Sequence, residues 1–170
     1  DKEYKVVVCT PAGREKYLSI FKNFIYKKMN EGLVDGWQLW LNTVDLRDIA
    51  YLESMEKENP KVKIYRMGEA IDSVGFYETF NPLKTHLFFL NTHDDDTIYI
   101  RFDDDIIWCA DDAIEKICQA RIDNPDSFLI YPNIVNSTIC NSWHQEIGAL
   151  DESAGKVKRF SLIDPNYAYL

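Results

Sequence analysis

Two kinds of hydrophobic pattern alternate along the chain. Short apolar runs rich in β-branched and aromatic residues are typical of strands, and they fall at residues 4–9, 37–42, 62–66, 97–102 and 127–132. Apolar residues recur at helical spacing in the segments 14–30, 46–57, 81–91 and 111–123. This alternation predicts an α/β fold in which helices flank a mostly parallel, doubly wound central sheet.

One segment interrupts the alternation. Residues 67–80 have no clear period and include glycine twice, which predicts a loop. The Asn81-Pro82 pair that follows favours the start of a helix, because Asn is a good N-cap and Pro fits the first helical position.

Length and composition indicate one globular domain. The chain has 170 residues, of which 46% are hydrophobic, so it can bury a substantial core. No internal repeat, low-complexity tract or interdomain linker is evident, and we expect a single domain over residues 1–170. The sequence begins without Met and ends without a terminal charge cluster, which leaves open that it is a fragment of a longer chain.

Charge and cysteine content restrict the partners and the compartment. The net charge of −9 argues against nucleic acid as a partner, because a phosphate backbone requires a basic surface. No apolar run approaches the roughly 18 residues that a membrane span needs. The cysteines form no CxxC pair, and Cys9 and Cys118 lie in apolar patterns, so we expect reduced thiols in a cytoplasmic protein.

Two runs of three aspartates flank the predicted fourth strand. Residues 94–96 precede the strand, where a solvated turn is expected. Asp103, Asp104 and Asp105, called the acidic triplet below, follow it. Ligands of open α/β sheets bind beyond the carboxyl ends of the strands, so we expect the acidic triplet to belong to a functional site.

Three adjacent carboxylates need a positive partner. Capping of the next helix does not explain the acidic triplet, because residues 106–108 separate the two. Mg²⁺ and Mn²⁺ prefer carboxylate and phosphate oxygens and often bind through only one or two protein ligands. The sequence therefore predicts a Mn²⁺ or Mg²⁺ site, with a purely structural role for the triplet as the alternative.

An apolar strand followed by an acidic triplet resembles the DxD motif of GT-A fold nucleotide-sugar glycosyltransferases. The order of elements from "VVVCTPAGR" onward is also similar, over most of the chain. The resemblance implies a Rossmann-like GT-A fold with a nucleotide-sugar donor. It also implies that Asp105 binds the metal, that Asp103 faces the donor ribose beside the metal, and that Asp104 lies between them in the same site.

The same resemblance places the nucleotide against the stretch that follows the first strand. It implies contacts to the donor from Thr10, Pro11 and Ala12, whose small size admits a base or ribose, and from Arg14, which can bind a phosphate. The alternative is an ordinary turn with Thr10 as a helix cap.

Two further residues are implied on the donor side. Asp45 follows the second strand, where related enzymes bind the uracil ring, but it also precedes a helix and can be a plain N-cap. Lys84 lies on the helix before the triplet strand, where a basic residue faces the donor in related enzymes; the alternative is a solvated lysine.

Candidates downstream of the triplet come from the stretch "NSWHQEIG" and its neighbourhood. Some related enzymes use a histidine here as a further metal ligand, which implies His144, although a structural histidine is the alternative. Trp143 can stack on a sugar or lie in the core. An inverting transfer needs a carboxylate to deprotonate the acceptor hydroxyl, and Glu146 and Asp151 are the candidates.

The resemblance as a whole implies transfer of a sugar, from a UDP-hexose as the commonest donor, to a carbohydrate or other hydroxyl acceptor. A nucleotidyltransferase that makes nucleotide sugars is the first alternative, although "TPAGREK" is a poor match to a glycine-rich phosphate loop. A haloacid-dehalogenase-type phosphatase normally carries DxD after its first strand, where this chain has Cys9 and Thr10. A non-catalytic carbohydrate-binding module is the third alternative.

Overall fold

A computed structural model of the chain describes residues 3–66, 92–132 and 138–149. Asp1–Ser127 form one compact unit and Phe128–Leu170 form a second. The predicted loop at 67–80 and the predicted helix at 81–91 lie outside the described residues. The prediction of a single domain over the whole chain stays a prediction.

The first unit alternates strands and helices. Its described elements are β1 (Lys5–Ala12), α1 (Glu15–Asn30), β2 (Gly36–Leu41), α2 (Leu46–Glu58), β3 (Val62–Tyr65), β4 (Thr97–Arg101) and α3 (Ala113–Asp123). The four strands form one sheet in the order β3-β2-β1-β4, and every neighbouring pair is parallel. The predicted Rossmann-like arrangement of a parallel sheet flanked by helices is therefore confirmed. In the second unit, the described residues include one helix, α4 (Thr138–Glu146).

Strand β1 is buried on both faces of the sheet, and its side chains alternate between those faces. Val6, Val8 and Ala12 of β1 join the main core cluster. Cys9 of the same strand faces the other way and packs with Trp40 in a second, smaller cluster. A strand buried on both faces reads as a continuous apolar run, which is why "VVVC" marked β1 in the sequence.

The three described helices of the first unit all pack into the same core cluster. Phe21 of α1 lies edge-on to Trp37 and to Phe102, with ring centroids 6.1 and 5.1 Å apart. Leu52 of α2 and Ile114 of α3 are fully buried in that cluster. Burial of each such side chain stabilises the fold by about 2 kcal/mol, and it holds the first turn of α1 at the carboxyl edge of the sheet.

Strand β1 extends to Ala12, beyond the predicted end at Cys9. Proline usually ends a ladder because it has no N–H. β4 pairs with β1 only as far as Cys9, so the missing N–H of Pro11 has no strand opposite it on that side. On the other side of β1, β2 continues to pair through Ala12.

The predicted fifth strand at 127–132 is wrong. These residues have no regular structure, and Phe128 and Tyr131 are 99% and 75% exposed. A run of β-formers becomes a strand only where it gains cross-strand neighbours and burial, and this run has neither among the described residues.

Candidate functional site

The carboxyl ends of β1 and β4 meet at the point where the strand order reverses. The chain passes from β1 outward to β2 and β3, and β4 then pairs with the opposite side of β1. The Phe102 N–H donates to the Cys9 carbonyl over 3.0 Å, one step beyond the last strand pair. Ligands of open α/β sheets bind at such a reversal, and the acidic triplet follows Phe102 directly.

The alternation of buried and exposed side chains along β4 continues through the acidic triplet. Phe102 and Asp104 are buried, whereas Asp103 and Asp105 are exposed. One carboxylate therefore points beneath the start of α1, and its two neighbours face solvent. The three adjacent aspartates occupy two different environments.

Asp104 ties the acidic triplet to the loop between β1 and α1. Its Oδ2 accepts a hydrogen bond from the Gly13 backbone N–H over 2.9 Å. Its Oδ1 accepts from Arg14 Nε over 2.8 Å and from Arg14 Nη2. With 5% of its surface exposed, Asp104 is a buried carboxylate that has donors on both oxygens.

Arg14 is the positive partner of two members of the triplet in this structure. Besides Asp104, its Nη2 lies 3.2 Å from Asp105 Oδ2. The hydrogen bond to Asp104 raises the pKa of the Arg14 guanidinium above its ordinary value. Arg14 was predicted to bind a donor phosphate; in this structure it binds two carboxylates of its own chain.

The two exposed carboxylates have only weak attachments. Asp103 accepts one hydrogen bond from Arg101 over 3.0 Å, and its side chain is 57% exposed. The Asp105 side chain is 48% exposed. Ion pairs of this kind contribute at most about 1 kcal/mol, so both carboxylates are accessible to a ligand at low cost.

Most of the stretch predicted to contact a nucleotide is interior. Thr10, Pro11 and Ala12 are buried in β1, and the Thr10 hydroxyl accepts a hydrogen bond from Trp37 Nε1 over 2.9 Å. Thr10 is not a helix cap, because α1 begins at Glu15 with Arg14 as its N-cap. Arg14 is the first exposed residue of the stretch.

Gly13 forms the turn between β1 and α1, and it must lack a side chain. A Cβ atom at this position would lie 2.8 Å from the Asn42 carbonyl oxygen and 2.9 Å from Thr43 Cβ. The turn therefore packs directly against the end of β2, which places the Gly13 N–H against Asp104.

Asp45 is the N-cap of α2. Its side chain accepts from the Arg47 backbone N–H over 2.8 Å, and Arg47 Nη2 lies 3.2 Å away. These bonds from Arg47 hold the pKa of Asp45 below its ordinary value. The capping interpretation is confirmed, whereas the contact to uracil stays a prediction.

Asp48 was missed as a site residue by sequence reasoning. Its Oδ1 accepts from the Glu15 backbone N–H over 3.0 Å, so a carboxylate of α2 satisfies the first turn of α1. Asp48 lies three residues after the Asp45 N-cap, and no local pattern in the sequence indicates a contact to another helix.

The aspartates before β4 form the predicted turn. Residues 95–96 are a turn, and the Thr97 N–H donates to the Asp94 carbonyl over 3.2 Å. Lys5 lies 2.9 Å from Asp96 and lowers the pKa of that carboxyl. These carboxylates lie at the amino end of the strand, whereas the acidic triplet lies at its carboxyl end.

The remaining candidates lie outside the described residues or in the second unit. Lys84 and Asp151 lie outside the described residues. His144 and Glu146 lie on α4, which belongs to the second unit. Trp143 on the same helix is 59% exposed, so it is not a core residue.

The chemistry of the exposed carboxylates suits a hard divalent cation. Among the residues that the structure describes, no group of three or more His, Cys, Asp or Glu side chains is arranged to hold a metal ion. Mg²⁺, however, usually binds through one or two carboxylates and completes its shell with water and substrate phosphates. Asp103 and Asp105 fit that requirement.

Fold and site together define a Rossmann-like α/β protein with an acidic triplet at the reversal of its sheet. None of its described helices is long and apolar enough to cross a membrane. Comparison of the chain with protein-family models, with curated proteins and with solved structures finds no match. The resemblance to GT-A glycosyltransferases accordingly stays a prediction.

Proposed function

We propose that the chain is a metal-dependent glycosyltransferase that moves a sugar, from a UDP-hexose as the first choice of donor, to an acceptor hydroxyl. The observation that carries the proposal is the division within the acidic triplet at the reversal of the sheet. Asp104 is locked to the β1–α1 loop, and this leaves Asp103 and Asp105 exposed at the edge where α/β sheets bind ligands.

In this proposal Asp105 holds Mn²⁺ or Mg²⁺, with Asp103 beside it. Its contact with Arg14 is a single, half-exposed ion pair over 3.2 Å, so Asp105 can exchange that partner for a metal ion. Arg14 stays attached to Asp104, which keeps the loop in place. When bound, the metal ion supplies Lewis acid stabilisation of the negative charge on the departing nucleotide diphosphate.

The charge of the protein also favours a metal-assisted site. A chain of net charge −9 repels an anionic donor, and a bound cation reverses the local sign of charge. Asp103 remains available to accept a hydrogen bond from a ribose hydroxyl. Glu146 and Asp151 remain the candidates that take the proton of the acceptor hydroxyl.

One exposed aromatic residue in the first unit supports a sugar ligand. Trp108 lies in the loop between β4 and α3, three residues after Asp105, and it is 71% exposed. An exposed indole offers a broad apolar face together with an N–H donor, which suits an amphipathic partner such as a sugar ring.

Isothermal titration calorimetry with UDP-glucose, with and without Mn²⁺, tests the proposal. We expect binding only with Mn²⁺, and a loss of at least about tenfold in affinity for Asp105→Asn, since even outer-shell partners of a metal contribute that much. Asp95→Asn is the matched control, because it removes an exposed aspartate from the turn at the opposite end of β4. Equal affinity in all three proteins would contradict the metal site.

Product analysis separates the remaining alternatives. Release of UDP from UDP-glucose supports a transferase. Formation of a nucleotide sugar from a sugar phosphate and a nucleoside triphosphate indicates a nucleotidyltransferase. Sugar binding that needs neither nucleotide nor metal indicates a carbohydrate-binding module.

A further inference from the structure

The start of α1 offers a set of donors that suits an anion. In Rossmann-like folds, the turn after the first strand and the first turn of the next helix commonly bind a phosphate through backbone N–H groups. Here those groups donate to carboxylates of the same chain. Gly13 N–H donates to Asp104 over 2.9 Å, and Glu15 N–H donates to Asp48 over 3.0 Å.

Asp104 is bound in the way that an anionic ligand is bound. Its two oxygens divide the donors, since one accepts from the Gly13 backbone and the other from the Arg14 guanidinium. Bonds from a guanidinium and a backbone N–H to one anion are the usual pattern of phosphate recognition. Asp104 is only 5% exposed, so its carboxylate fills the space between these donors.

We propose that Asp104 is an internal anion, which fills a phosphate-type site at the start of α1 and closes that site to free phosphate groups. The inference concerns an anion site and is independent of the proposed transferase activity. If that activity is correct, the consequence is that the donor diphosphate cannot use the α1 site and depends on the exposed side of the triplet.

Electrostatic repulsion also supports the exclusion of free phosphate from the site that Asp104 fills. A phosphate at these donors would meet the carboxylates of Asp104 and Asp48, and like charges in a partly buried position repel strongly. Removal of Asp104 lessens this repulsion and leaves the Gly13 N–H and the Arg14 guanidinium without their shared anion, while Arg14 keeps its half-exposed contact with Asp105.

Thermal unfolding with inorganic phosphate as the probe tests the inference. Wild type and Asp104→Ala are compared in 50 mM phosphate and in sodium chloride of equal ionic strength, with EDTA present. If the phosphate concentration is about ten times the dissociation constant of the site, we expect phosphate to raise the unfolding temperature of Asp104→Ala by about 4 °C. Wild type should show no rise beyond that in chloride.

Two variants serve as matched controls. Asp103→Ala removes the neighbouring exposed carboxylate, which contacts Arg101 and not the loop, and it should respond as wild type does. The double variant Asp104→Ala/Arg14→Gln lacks the guanidinium and should lose the phosphate response.

A folding defect in Asp104→Ala does not prevent the test. If that variant is unfolded in chloride, phosphate should restore its helical circular dichroism, because a ligand of the folded state shifts the equilibrium by mass action. The inference is overturned if phosphate neither stabilises nor refolds Asp104→Ala, or if it stabilises wild type equally. This experiment contains neither metal nor nucleotide, so neither result bears on the proposed transferase activity. That activity is tested separately by the calorimetry with UDP-glucose and Mn²⁺.

Discussion

Three adjacent aspartates should differ widely in what they contribute to stability. In the structure, Asp104 is buried with donors on both oxygens, whereas Asp103 and Asp105 are exposed and have single contacts. Alanine substitutions at successive positions of the acidic triplet therefore measure how far these environments differ.

The expected loss for Asp104→Ala follows from the groups that it leaves behind. The buried Gly13 N–H loses its only described acceptor, which costs about 2 kcal/mol. The charge-assisted bonds to Arg14 contribute about 1 kcal/mol more, a reduced value because the Arg14 side chain is 51% exposed and water replaces part of the contact. The sum is about 3 kcal/mol, against about 0.5 kcal/mol for Asp103→Ala.

Urea denaturation followed by circular dichroism is the assay. With a slope of about 2 kcal/mol per molar urea, the midpoint should fall by about 1.5 M for Asp104→Ala and by about 0.25 M for Asp103→Ala. Asp104→Asn retains one acceptor oxygen and should give an intermediate shift. Similar midpoints for Asp104→Ala and Asp103→Ala would refute the division within the triplet.

Two further predictions concern the strands that carry the site. Gly13→Ala places a Cβ 2.8 Å from the Asn42 oxygen and should reduce the stability of the fold by about 2 kcal/mol. A Cβ at Gly36 has no contact under 3.7 Å, so Gly36→Ala should change the stability by less than about 0.5 kcal/mol. Equal urea midpoints for the two variants would contradict this prediction. Burial raises the pKa of the Cys9 thiol from 9.0 to about 12. The unfolded chain therefore loses the Cys9 proton first as the pH rises above 9, and about 2.7 kcal/mol of stability should disappear by pH 11. Urea midpoints at pH 8 and pH 11 should show a smaller loss for Cys9→Ser, whose hydroxyl does not titrate; an equal loss would contradict the shifted pKa.

The hydrophobic pattern predicted the fold of the first unit well because each described strand and helix has a strong local period. A few neighbouring residues are enough to recognise the apolar run of β1 and the helical spacing of Phe21 and its apolar neighbours in α1. The run at 127–132 has the same local character but forms no strand. Strand formation depends on distant neighbours that a local pattern does not contain.

The acidic triplet could be placed from the sequence, but its internal division was overlooked. Extending the alternation of Ile98, Ile100 and Phe102 by two residues makes Asp104 the buried member, so the signal was present. The contact between Arg14 and Asp104 joins residues 90 positions apart, and no local pattern reports it. The same holds for the bond from Glu15 to Asp48.

The most direct test of the proposed metal site is a crystal structure of the protein with Mn²⁺ and UDP-glucose. We expect a metal ion bound to the Asp105 carboxylate, a diphosphate on that ion, and Asp104 still bound to Arg14 and the Gly13 N–H. A nucleotide ordered away from the acidic triplet, or bound at the triplet without a metal ion, would contradict it.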